Sequence, residues 1–157
     1  MKQKITDEIK HFFQSQGFVI ITTIGGDDLP HASCKGIVFL DAENDLVYLF
    51  DLYRGQTYVN LKRNPAVALT AVEEHKFRGW CLKGRAKIVS EEKIHRQFLK
   101  YWDEKVASRI TQRILRNLRE EKGHPKHPEA LFPAPNYLVA VKIKKTVDLT
   151  PRHLRGG

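Results

Sequence analysis

Three apolar runs rich in β-branched and aromatic residues follow one another early in the chain, with only tight turns between them. They are Phe18–Ile24, the stretch from His31 to Leu40, and Leu46–Phe50. Gly25-Gly26-Asp27-Asp28 and the segment Asp41–Asp45 supply the turn chemistry between them. A parallel pair needs a crossover of a dozen or more residues, and these gaps are far shorter. The runs therefore predict an antiparallel meander and exclude a doubly wound α/β sheet.

The remaining elements arrange themselves around that meander. Thr6 caps a short amphipathic helix with Asp7 and Glu8 in its first turn and Ile5, Ile9, Phe12 and Phe13 at helical spacing; Gly17 ends it. A second helix runs from Tyr58 to Arg63 and stops at Asn64-Pro65, because a residue before proline is pushed out of the helical region. Strands resume at Ala66–Val72 and from about Phe77 to Val89, with Gly79 and Gly84 as expected bulge or kink points. Ser90-Glu91-Glu92 opens a long helical stretch to about Glu121, with a break expected near Asp103–Lys105. A proline-rich connector, His124–Asn136, precedes a last alternating strand from Tyr137 to Val147. That makes six strands in one domain spanning 1–157, with a core over about 5–148 and a basic tail at 149–157.

Charge is unevenly spread. Residues 1–52 carry four basic and eight acidic side chains, so the rest of the chain carries +13 of the net +9. Such asymmetry points to a face that meets an anion: nucleic acid, membrane phosphate or a phosphorylated cofactor. On the late helix Lys105, Arg109, Arg113 and Arg116 share one stripe, read either as an anion-binding surface or as the solvated flank of a core-packed helix. Glu120 and Glu121 follow it and no aromatics interleave, which favours the flank and argues against a nucleic-acid partner. The charged N-terminal segment lacks the apolar core of a signal peptide, and no run approaches the length of a membrane span. A cytoplasmic protein is expected.

Several chemistries are excluded by missing motifs. There is no nucleophile elbow, no phosphate loop with lysine and no dinucleotide fingerprint. Two cysteines, Cys34 and Cys81, are too few for a four-thiolate zinc site, and no metal site is expected. His124 and His127 stand among prolines at a spacing that does not place two ligands on adjacent helical turns. Phe77, Trp80 and Trp102 are read as core aromatics before ligand-stacking ones.

The segment Asp51-Leu-Tyr-Arg-Gly-Gln-Thr57 carries a positive signal. A strand delivers Arg54, a flexible Gly55 and the Thr57 hydroxyl to the start of a helix, where free backbone N–H groups and the helix dipole converge. Such a spot either cradles a phosphate or is an ordinary start in which Thr57 caps its helix.

Thr57 to Pro65 (TYVNLKRNP) followed by an apolar strand resembles the FMN-binding split-barrel proteins of the pyridoxamine 5′-phosphate oxidase-like superfamily. Leu29-Pro30-His31 with the strand after it, and Leu82-Lys83-Gly84-Arg85-Ala86-Lys87-Ile88, resemble the same pattern in the same order. The resemblance implies a six-stranded antiparallel split barrel with flanking helices, and a homodimer binding FMN between its subunits. It would set the flavin ring along Ser33, Cys34, Lys35 and Gly36. The phosphate and ribityl chain would meet Asp51, Leu52, Tyr53, Arg54, Gln56 and Thr57. Lys35 near the ring would favour the anionic reduced flavin; otherwise it is a salt-bridged surface lysine. Many relatives carry a lysine at the position of Gln56 or Thr57, so here Arg54 or Lys62 would supply that charge, or a deazaflavin or haem would take the groove. The implied activity is electron transfer between a reduced donor such as NAD(P)H and a small acceptor; a non-catalytic redox sensor is the alternative.

Overall fold

The computed structural model describes residues 2–36, 38–119, 132, 133, 135 and 137–156. In chain order the elements are α1 (Asp7–Ser15), β1 (Val19–Ile24), β2 (Pro30–Lys35), β3 (Val38–Asp41), β4 (Leu46–Asp51), α2 (Gln56–Arg63), β5 (Ala66–Glu73), β6 (Arg78–Ser90), α3 (Arg96–Leu118) and β7 (Tyr137–Asp148). Thr6 caps α1 as its sequence predicts, accepting from the Ile9 N–H at 3.3 Å.

All seven strands form one antiparallel sheet in the order β2-β1-β5-β6-β7-β4-β3. The sequence predicts six strands, and the extra one has a clear origin. The run expected as a single strand from His31 to Leu40 divides at Gly36: β2 pairs with β1, whereas β3 pairs with β4. These are the two edges of the sheet. Because β2 passes almost directly into β3, the sheet must curl until its edges meet. The result is an antiparallel half-barrel with flanking helices.

Alternation along each strand sorts side chains between two cores. Val47 and Leu49 of β4 and Val139, Val141 and Ile143 of β7 point inward with Ile21, Leu40, Leu69 and Leu82, under Ile9, Phe12 and Phe13 of α1. Phe50 and Leu138, one residue out of phase, face outward and pack with Trp102 of α3. The predicted bulge lies at Gly84, where the β6–β7 register shifts between Lys83 and Gly84. A Cβ there would collide with the Lys142 carbonyl oxygen.

The expected break near Asp103–Lys105 does not occur; α3 is continuous. No glycine or proline interrupts it. Apolar residues spaced by four drift about 40° per step around a helix of 3.6 residues per turn, so the stripe wraps without a kink. Its early part packs on the sheet, while Ile114, Leu115 and Leu118 are exposed. The histidines at 124 and 127, Glu120, Glu121 and most of the proline-rich connector lie outside the described residues. Among the described residues no helix is long and apolar enough to cross a membrane, and no group of His, Cys, Asp and Glu could hold a metal ion.

Candidate functional site

Gly36 and the end of β4 bring two predicted residue groups together. A cavity of about 210 Å³ opens there, walled by Cys34, Lys35 and Gly36 on one side and Asp51, Leu52 and Tyr53 on the other. Phe50, Trp102, Arg109 and Phe132 complete it. Trp102 belongs to the core, as its sequence context suggests, yet also forms part of this wall; Trp80 packs partly buried on the inner core, whereas Phe77, at the left-handed turn before β6, is exposed and not a core residue, and neither lines the cavity. Phe50 and Phe132 carry no local motif that marks them, and Arg109 is marked only as one cation of the basic stripe. Their roles arise only when α3 and Phe132 come together over the sheet.

The floor of the cavity is a buried polar chain. Lys35 Nζ lies 2.7 Å from Asp51 Oδ1, with side-chain exposures of 13% and 5%. Lys35 is salt-bridged, as the second expectation has it, but it is largely withdrawn from the surface. The Tyr137 hydroxyl donates to Asp51 Oδ2 and lies 3.3 Å from the Tyr53 carbonyl. Burial, then the Asp51 carboxylate that accepts its proton, raises the Tyr137 phenol well above its usual range. This phenol stays protonated and holds Asp51 from one side while Lys35 holds it from the other.

Beyond Asp51 the chain turns into α2. Its N-cap is Gly55, which offers no side-chain acceptor to the first-turn N–H groups. Thr57 does not cap the helix: it is buried, and its hydroxyl lies 2.9 Å from Ser33 Oγ. Ser33 and Thr57 thereby tie β2 to α2. Gln56 donates to Asn60 Oδ1 at 2.7 Å, and buried Asn60 donates to buried Thr23 at 3.0 Å, fixing α2 against β1. Arg54 and Lys62 converge on one ring, at 5.5 Å and 5.6 Å from the Tyr58 centroid. Neither lines the cavity; together with Gln56 they form an exposed cationic shoulder beside it.

Arg109 of the basic stripe bridges elements: its guanidinium donates to the carbonyls of Gly17 and Gly36. It thereby fixes the end of α1 and the bend between β2 and β3 to α3.

The family model for pyridoxamine 5′-phosphate oxidase matches residues 5–132. The chain belongs to that family. An uncharacterized protein of Methanocaldococcus jannaschii, MJ0282, is 35% identical over 68 residues, a match covering 43% of this chain and 45% of that protein. The chain thus spans under half the length of this curated relative. Among solved structures, HupZ of Group A Streptococcus superposes with a TM-score of 0.64 at 16% identity, over 93% of this chain and 94% of that one. A putative pyridoxamine 5′-phosphate oxidase from Lactobacillus delbrueckii gives 0.60 at 20% identity, over 94% and 99%. An F420 reductase gives 0.54 at 15% identity, over 88% and 94%. At such identities these structures share the fold.

Proposed function

We propose that this member of the pyridoxamine 5′-phosphate oxidase family is an FMN-dependent oxidoreductase that moves electrons between a reduced donor such as NAD(P)H and a small acceptor. The observation that carries the reading is the adjacency of an open, aromatic-walled cavity to a cationic helix start without a side-chain cap. The donor chemistry fits a phosphorylated flavin. Arg54, Lys62 and the first-turn N–H groups of α2 suit the phosphate in the absence of a lysine at Gln56 or Thr57. Asp51 to Tyr53 and Gln56 would hold the ribityl chain. Cys34, Lys35 and Gly36 would offer the ring an edge of strand in the cavity that Trp102 and Phe50 also line, while Ser33 lies outside that lining and bonds Thr57.

When bound, the flavin supplies the hydride and electron chemistry. The chain's own residues position it and set its electrostatics. Lys35 would bring a cation to the ring, but Asp51, 2.7 Å from it, compensates that charge. The local field is therefore closer to neutral than the lysine alone suggests. Tyr53 is 65% exposed at the cavity rim, an apolar surface that a second copy of the chain would cover in a homodimer.

The test is mass spectrometry of the small molecule released on denaturing the purified protein, paired with absorbance on adding NAD(P)H. Released FMN whose absorbance bleaches with NAD(P)H supports the enzyme. FMN that never turns over with any donor supports a non-catalytic flavin protein instead. The fold shared with an F420 reductase makes a deazaflavin the second candidate, and its mass separates it from FMN.

A further inference from the structure

The charged groups of the cavity do not act independently. Among its described lining residues Lys35, Asp51 and Arg109 carry charge, and Cys34 and Tyr53 are the other groups able to ionise. Asp51 is the one carboxylate among them. Its Oδ1 lies 2.7 Å from Lys35 Nζ, and its Oδ2 accepts from the Tyr137 hydroxyl of β7. Both neighbours donate, so Asp51 accepts at both oxygens and stands as a carboxylate. Lys35 and Asp51 are largely withdrawn from solvent, where water and salt screen charge least. Arg109 turns its guanidinium to the carbonyls of Gly17 and Gly36, whose dipoles oppose its charge. Arg54 stands outside the cavity, 6.0 Å from the Tyr137 ring centroid.

A cation beside an acidic group favours the ionised form of that group, so Lys35 alone would draw a reduced flavin toward its anion. Set 2.7 Å from a carboxylate, it acts instead as half of a dipole, whose field falls off faster than that of a single charge. We propose that Asp51, by neutralising Lys35, makes this site hold the reduced flavin in its neutral, fully protonated form. The inference rests on the flavin reading above. Reduction then takes up two electrons and two protons. A reduced nicotinamide gives both electrons and one proton as hydride and leaves oxidised, and the second proton comes from solvent water. Without Asp51, the charge on Lys35 replaces that second proton. Asp51 acts through Lys35 and is a positioning residue.

The full-length protein is loaded with FMN and reduced photochemically beside reference dyes, and its midpoint is followed against pH around neutrality. No turnover is needed. The unaltered protein should take up two protons with two electrons, and the near-ultraviolet absorbance of the reduced cofactor should be that of the neutral form. In Asp51→Asn the count should fall to one. Reduced FMN should then be held about tenfold tighter relative to oxidised FMN, a rise of about 30 mV for a two-electron couple. Lys35→Met combined with Asp51→Asn removes the pair together; it should keep the count at two and change that affinity ratio less than about twofold. A packing defect at the cavity floor would move the single and double variants alike, whereas loss of charge compensation moves the single variant only. One proton per two electrons in the unaltered protein, or equal shifts in the two variants, would overturn the inference. The count in the unaltered protein decides it even where Asp51→Asn does not fold. If the unaltered protein takes up no FMN, the flavin reading falls and this inference with it. Bound FMN with a count of one removes the inference and leaves the flavin reading standing.

Discussion

Lys35 and Asp51 meet at 2.7 Å at the point where the chain passes from one edge of the sheet to the other. Lys35 is the last residue of β2 and Asp51 the last of β4, so this one ion pair ties the curled sheet shut beneath the candidate site. Both side chains are largely withdrawn from solvent. Removing the lysine alone strands a buried carboxylate. Lys35→Met should therefore cost about 3 kcal/mol of unfolding free energy in a denaturant titration. Adding Asp51→Asn removes the stranded charge while keeping an acceptor for Tyr137, and the double variant should recover about half of the loss.

The Tyr137 hydroxyl gives a pH signature. Burial raises its phenol, as it does those of Tyr48 and Tyr101, and for Tyr137 the Asp51 carboxylate adds to the effect. The unfolded chain releases this proton near the ordinary value of 10.0, whereas the folded chain retains it. Stability from this group is therefore complete below pH 10 and declines as pH rises above it. In alkaline absorbance titration the phenolate signal of the folded protein should lag that of the urea-unfolded chain, and Tyr137→Phe should remove much of the lag.

Gly84 is required by close approach. Its place at the β6–β7 bulge leaves no room for a methyl group against the Lys142 carbonyl, and backbone cannot swing aside as a side-chain tip can. Gly84→Ala should lower stability by about 3 kcal/mol, read from the urea midpoint. At Gly55 an added Cβ would meet nothing within 4 Å, so alanine there should bring a far smaller loss.

How much of this was legible in the residues differs from element to element. The meander, the Thr6 cap and the Gly84 bulge follow from local chemistry: β-branched runs, a capping hydroxyl beside acidic residues, a glycine inside an apolar strand. The division of β2 from β3 does not, because a continuous strand and one that changes partners at Gly36 carry the same alternation. Likewise Arg109 reads as one cation in a stripe, and only tertiary packing sets it against the Gly17 and Gly36 carbonyls. Thr57 shows the limit most plainly. A hydroxyl near a helix start suggests a cap, yet Ser33, brought from β2, takes it instead.

Trp102 offers an optical readout of occupancy. Of the two tryptophans, Trp102 walls the smaller cavity whereas Trp80 packs against the inner core. FMN binding should quench the fluorescence of a Trp80→Phe variant strongly. The same titration of Trp102→Phe should leave most of the remaining emission in place.

Flavin binding itself is read by equilibrium titration of the full-length protein with FMN, alongside Arg54→Ala. Saturable uptake of about one FMN per chain is predicted, weakened about tenfold in Arg54→Ala by loss of a charge-assisted phosphate contact. Arg54 is exposed, so the thermal midpoint of the variant should stay close to that of the unaltered protein. No uptake of FMN by the unaltered, folded protein would overturn the flavin reading.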